Sequence, residues 1–277
     1  LVELATTAET QTGTDTARVV TPAGAAATYT PGISRAGRLW TRGLPATRPF
    51  KTVIPSSSSS VTSIGFGGAA ATSGTVTTPL VTNKGYWTQA VTAASMNSGA
   101  DVRFTANAWF RGAASDGEAG AHFHARVRFP DASYDNTGAS TGCWINVGMA
   151  SVSPVTARRL ASVHGVVFNR EHENGYNTDS NWQVVVNDGG VTATTVDTGI
   201  PFTVGNEYEM WITMTAGATS IGWEIHDLTA GTSASNTVGT DLPGATTAIY
   251  PAVHLRTMDA VSRTMQVKRI YVEADKG

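Results

Sequence analysis

A single cysteine, Cys143, stands in a chain of 277 residues. That excludes an intramolecular disulfide and a cysteine-built zinc site. Charge is scarce too: Asp, Glu, Lys and Arg make up 14% of the chain, against roughly 25% in an ordinary soluble domain. The formal net charge of -2 removes the electrostatic case for nucleic acid or an acidic membrane surface as a partner. No apolar run approaches the roughly 18 residues of a membrane-crossing helix, so no membrane insertion is expected. The first residues lack the charged and apolar blocks of a signal peptide, and a chain opening on Leu1 is expected to be processed or part of something longer. A long 3.6-residue apolar period is missing as well.

What fills the gap is Thr, Ala, Ser, Gly and Val, a mixture suited to twisted strands and tight turns. From about Val61 the apolar residues alternate with polar ones. Val102, Phe104, Ala106, Ala108 and Phe110 share one strand face; Phe123, Ala125, Val127 and Phe129 share another. The pattern returns at Cys143, Ile145, Val147 and Met149, at Tyr208, Met210, Ile212 and Met214, and at Ile221, Trp223 and Ile225. Such alternation, bounded by Gly, Asn, Asp and Pro, predicts half-buried antiparallel strands. Asp188-Gly189 predicts a tight hairpin turn between two of them. The expected fold is all-β, an antiparallel jelly-roll sandwich over 61–277. Cys143 falls on the apolar side of its strand and reads as a core thiol.

Ahead of the sandwich lie two weaker pieces. Residues 1–30 are rich in Thr and Ala, with Thr21-Pro22 a natural start for a helix of about two turns. Such a helix is too short to stand alone in water and needs a partner surface. Residues 31–60 hold Pro31, Pro45, Pro49 and Pro55 among glycines, with Arg35, Arg38, Arg42 and Arg48, and read as an extended arm. Those arginines suit either a solvated linker or a grip on a neighbouring subunit.

The groups able to carry chemistry are few. In "AHFHARVRF", His122, His124, Arg126 and Arg128 alternate onto one face, a solvent-facing strand surface or a strip for an acidic sugar. His122 and His124 also form a metal-like pair, but no third ligand follows at convincing spacing, so neither metal nor cofactor is expected. Trp109, Trp144 and Trp211 lie opposite the apolar alternation of their strands, as sugar platforms or as packing under a loop. The densest polar stretch, "NREHENGYNTDSN", reads as a loop at a sandwich end, either a specificity loop carried by Arg170, Glu171, His172, Asn174 and Tyr176 or an ordinary hairpin loop or subunit contact. Glu171 with Glu173, and Glu207 with Glu209, are the nearest approaches to a catalytic carboxylate pair. A loop preorganises the first weakly, and a solvent-facing strand side explains the second. No enzyme is expected.

Two stretches resemble known families. "LATTAETQTGTDTARVVTPAGAAA" resembles a motif of bacteriophage tail fibres and related virion appendages, through Ala5, Thr6, Ala8, Glu9, Gly13, Thr14, Asp15, Arg18, Val20, Thr21 and Pro22. The stretch from Trp182 to Met214 is similar to concanavalin A-like lectin/glucanase sandwiches carried on phage fibres, continued by "DLPGATTAIYPAVHLRT" and "MQVKRIYVE". The resemblance implies a homotrimer located on the virion, tail or head. Glu9, Asp15, Arg18, Thr21, Pro22, Arg35 and Arg38 would attach it to other virion proteins. It also implies host surface polysaccharide as partner. A capsid decoration protein without glycan binding, or a polysaccharide-cleaving enzyme, are the alternatives.

Overall fold

The computed structural model describes residues 50–53, 75–82, 85–103, 109–112, 120–130, 134, 142–152, 157–173 and 176–274. The attachment residues Glu9, Asp15, Arg18, Thr21, Pro22, Arg35 and Arg38, and Asn174 of the polar stretch, lie outside them. Among the described residues no helix is long and apolar enough to cross a membrane.

Strands dominate. In chain order they are β1 (Phe50–Val53), β2 (Thr75–Thr82), β3 (Gly85–Val91), β4 (Gly99–Arg103), β5 (Ala121–Arg128), β6 (Gly142–Ala150) and β7 (His164–Glu173). After them come β8 (Asn181–Asp188), β9 (Thr194–Pro201), β10 (Glu207–Met214), β11 (Ile221–Asp227), β12 (Thr232–Val238), β13 (Tyr250–Thr257) and β14 (Thr264–Glu273). An eight-stranded sheet runs β12-β11-β10-β5-β14-β3-β2, with β1 also pairing β14. A six-stranded sheet runs β4-β13-β6-β7-β8-β9, and every pairing in both is antiparallel. The jelly-roll sandwich read from the alternation is therefore present. Its first strand starts earlier than expected, because Phe50–Val53, read as part of the arm, pairs with Ile270–Glu273.

The inner faces bury the residues the alternation picked out. Phe123, Ala125 and Val127 of β5 meet Ile145, Val147 and Met149 of β6 within one continuous core, together with Met210, Ile212, Trp223 and Ile225. At one end Trp182, Phe129, Phe202 and Tyr208 pack ring against ring, with centroids 5.4–6.4 Å apart. Each such ring contributes on the order of 1.5–3 kcal/mol by leaving water. Burial would strand the Tyr208 hydroxyl, but it accepts from the Thr203 amide at 2.6 Å and reaches the Pro201 carbonyl at 3.1 Å. Burial pushes this phenol up to about 12. Cys143 is wholly buried in the same core.

Some strand details depart from expectation. Phe104, Ala106 and Ala108 lie outside the described residues; Val102 and Trp109, which bridges Ile249, are both in the core, while Phe110 turns outward, 41% exposed. The β8–β9 hairpin exists, but residues 189–193 connect it, a longer loop than a two-residue turn. Gly189 takes the positive φ of 93°, and the Asn187 side chain ties the loop through the Gly189 amide and the Gly190 carbonyl. Glycine is needed at position 142 for another reason. There β6 and β7 approach so closely that a Cβ would sit 1.7 Å from the His172 carbonyl oxygen.

Candidate functional site

The outer face of the eight-stranded sheet gathers the richest polar group. On β5 the side chains that alternate outward are His122, His124, Arg126 and Arg128, as the sequence indicates. Register then sets their neighbours. His124 lies between Trp211 of β10 and Tyr271 of β14, and Trp211 is paired in turn with Glu224 of β11. One row along, Arg126 lies between Glu209 and Arg269, and Glu209 faces His226. His122 lies between Thr213 and Glu273.

A bulge makes this arrangement. The pairing of β14 with β5 shifts register between Val267 and Arg269. Strict alternation from Val267 would send Arg269 into the core; the extra residue turns it outward and returns Ile270 and Val272 inward.

Trp211 sits half-buried between two imidazoles. Its ring centroid is 4.4 Å from that of His124, tilted by 33°, and 5.6 Å from His226 in an edge-on arrangement. Stacking of this kind fixes the indole rather than leaving it to rotate. His124 is thereby only 1% exposed, a correction to its reading as a surface residue. Burial, with Arg269 and Arg126 nearby, pulls its imidazole down to about 4, against the opposing pull of Glu209. It is therefore neutral at neutral pH. The Nε–H of Arg269 donates to its Nδ1 at 3.2 Å, so the ring hydrogen sits on Nε2.

Glu209 is the focus of the donors. Burial works to raise its carboxyl, but His124, Arg126 and Arg269 outweigh that and hold it below the ordinary carboxylate range. Its Oε1 stands 3.7 Å from His124 Nε2, 3.8 Å from an Arg126 terminal nitrogen and 3.8 Å from an Arg269 terminal nitrogen. Those spacings exceed a direct hydrogen bond, so the donors steer the carboxylate without closing on it. Strand alternation predicts a solvent-facing Glu207. Instead it is 2% exposed and accepts from Arg126 Nε. Arg128 donates to the Gly205 carbonyl at 2.9 Å, and His226 Nε2 contacts Glu224 Oε1 at 2.9 Å. Guanidiniums and carboxylates thus neutralise one another within the face. The strip's Arg126 is answered by Glu207 and Glu209, which makes the strip less basic than its sequence suggests.

The other candidates go elsewhere. Trp109 is a core residue and offers no platform. The polar stretch from Asn169 is not a loop at its start: β7 continues to Glu173. Arg170 and His172 pair with Ile145 and Cys143 and share their inward side; Arg170 is 2% exposed, its guanidinium over the Phe202 ring at 4.3 Å and donating to the Tyr134 carbonyl at 3.0 Å. Glu171 and Glu173 project from the opposite face of the six-stranded sheet, beneath a turn at residues 157–163. Burial pushes the Glu171 carboxyl up, against hydrogen bonds from Asn177 and the Arg159 amide. Trp144 is on this second face too, 4% exposed, with the guanidiniums of Arg158 and Arg256 each 5.0 Å from its ring centroid. Tyr176 covers Arg158 from the other side and is 69% exposed.

Sequence reading missed Glu224, His226, Arg269 and Tyr271. The first two were legible: "WEIHD" alternates like "HFHAR", so its polar side belongs outward as well. Among the described residues no group of three or more His, Cys, Asp or Glu is placed to hold a metal ion.

No protein-family model matches the sequence, and no curated protein matches it. Solved structures do match in fold. A protein of unknown function from Shewanella oneidensis MR-1 superposes with a TM-score of 0.54 at 12% identity, covering 87% of this chain and 94% of that chain. Peanut lectin, with a nine-residue peptide, gives 0.54 at 12% identity over 83% of this chain and 98% of that chain. The lectin UEA-II, complexed with galactose, gives 0.53 at 12% identity over 82% and 98%. The likeness is that of the lectin-type jelly-roll sandwich.

Proposed function

We propose that the chain is a non-catalytic saccharide-binding protein of a bacteriophage virion appendage, assembled as a homotrimer and directed at host surface polysaccharide. The binding part is carried by one observation. Trp211, fixed between His124 and His226, lies beside an ionised Glu209 that its donors approach without closing. A pyranose offers an apolar ring face to an indole and hydroxyls to carboxylate and imidazole, and this face holds both kinds of partner. The internal pairing of its arginines favours a neutral saccharide, in keeping with the galactose held by one of the lectins of similar fold. A carboxylate held ionised accepts from sugar hydroxyls and is ill suited to protonate a glycosidic oxygen, which supports binding over cleavage.

The virion and trimer parts rest on the motif through Glu9, Asp15, Arg18, Thr21 and Pro22. Three linked sites would turn weak single-site binding into tight attachment. The test incubates the purified chain with host polysaccharide and measures retention and polysaccharide chain length, with sedimentation equilibrium for mass. Retention at unchanged length by a trimer is the expected result. Shortened chains would replace the reading with a hydrolase; no retention would leave the decoration role.

A further inference from the structure

The second face carries its own candidate site, on the six-stranded sheet. Trp144 of β6 and Arg256 of β13 are paired neighbours there. Arg158, from the turn at 157–163, enters between Trp144 and Tyr176, its guanidinium 5.0 Å from the first ring centroid and 3.5 Å from the second. Glu173 lies below, accepting from the Trp144 indole at 2.9 Å and from Arg158 at 2.7 Å. Arg256 donates to Asn97 Oδ1 at 3.0 Å. The result is a line of alternating rings and guanidiniums across two strands and their flanking loops.

The line is held by strained backbone. Arg159, Leu160 and Ser162 have φ of 42°, 58° and 59°, and Asn97 at the far end has 61°. Left-handed non-glycine residues cost about 1–3 kcal/mol each and persist where surroundings over-determine them, often at ligand clamps. Here Arg159 is clamped by Asp179 at 2.7 Å and by Glu171, while the Leu160 carbonyl accepts from Asn187 at 2.7 Å. The clamp keeps Arg158 in place beneath an exposed ring. The Arg158 side chain keeps 29% of its surface exposed, while its buried Nη1 has no hydrogen-bond partner among the described residues. The carboxylate is the sunken member of the group, with a side chain 7% exposed against 29% for Arg158.

We propose that this line is a second saccharide site, for a pyranose bearing a carboxylate. The Tyr176 ring takes the apolar face of the sugar, and the guanidiniums of Arg158 and Arg256 take its carboxylate through their fork of N–H donors. The site is independent of the Trp211 face and differs from it in the charge of its ligand.

The experiment titrates the full chain with a glucuronate-containing oligosaccharide and with its carboxyl-reduced counterpart, by calorimetry. The wild-type chain is expected to bind the acidic form at least tenfold more tightly, with affinity falling as salt rises. Tyr176→Ala and Arg256→Gln, folded by circular dichroism, should each lose that preference; Trp211→Ala should keep it. Tyr176 is so exposed that its replacement threatens no core. Equal binding of the two oligosaccharides by the wild type, no binding of either, or a preference that survives both variants overturns the proposal. Loss of the preference in Trp211→Ala instead would overturn it too, by assigning the carboxylate to the other face.

Discussion

Asp259→Ala is expected to lower the stability of the sandwich by about 3–5 kcal/mol, because it leaves a buried arginine without its carboxylate. Arg263 is wholly buried, and its terminal nitrogens donate to both carboxylate oxygens of Asp259, one at 2.8 Å. The same carboxylate accepts from the Thr257 hydroxyl at 2.6 Å and from the Gly142 amide at 3.1 Å. The Arg263 amide in turn donates to Thr92 just past β3, at 2.9 Å. One ion pair thereby ties the ends of β6 and β13 in one sheet to β3 and β14 in the other. Urea unfolding followed by tryptophan fluorescence measures the effect; a loss under about 1 kcal/mol would contradict the assignment. Thermal unfolding should shift down by roughly 10 °C.

The same group sets an acid limit. Burial alone would raise the Asp259 carboxyl, but hydrogen bonds from Arg263, Thr257 and Gly142 outweigh it and hold it at about 2. An unfolded aspartate titrates near 3.9. The depressed folded value means the contribution is fully present above about pH 4 and is lost as pH falls toward 2. Asp259→Asn keeps the shape and should flatten the stability-pH curve across that window.

Trp211→Ala is expected to weaken saccharide binding by about thirtyfold or more, on the order of 2 kcal/mol, the usual cost of removing a central aromatic anchor. The side chain belongs to the outer face, so the core formed by Met210 and Ile212 on the same strand remains. Titration with the oligosaccharide retained in the polysaccharide assay, beside a circular dichroism control, gives the value. Trp211→Phe should recover part of the affinity, since it restores a ring though not the full indole. A variant that binds like the wild type would remove this face from the function.

The sandwich was legible because its inward residues alternate without a break in β5, β6, β10 and β11. The site was legible only by halves. "HFHARVR" announces four outward polar residues, but which strands stand beside them depends on pairing between segments about 80 and 145 residues apart, as Glu209 and Arg269 are from Arg126. Arg269 was further hidden by the bulge; its trace is the three-residue step from Val267 to Ile270 where two are expected. β7 misled for the opposite reason. Its final turn of sequence, Asn169 to Glu173, is entirely polar, yet the strand continues because inner Arg170 finds a carbonyl and a ring, and outer Glu171 and Glu173 find arginines from the overlying turn. Composition marks such residues as loop; only their partners make them strand.

The buried position of Cys143 makes the molecule its own reporter. As the chain's one thiol, it is shielded from an alkylating reagent while β6 stays paired on both sides. Labelling at this single atom therefore times the opening of the sandwich around β6 with no engineered probe, and does so equally well for a free chain or for one held in a larger particle.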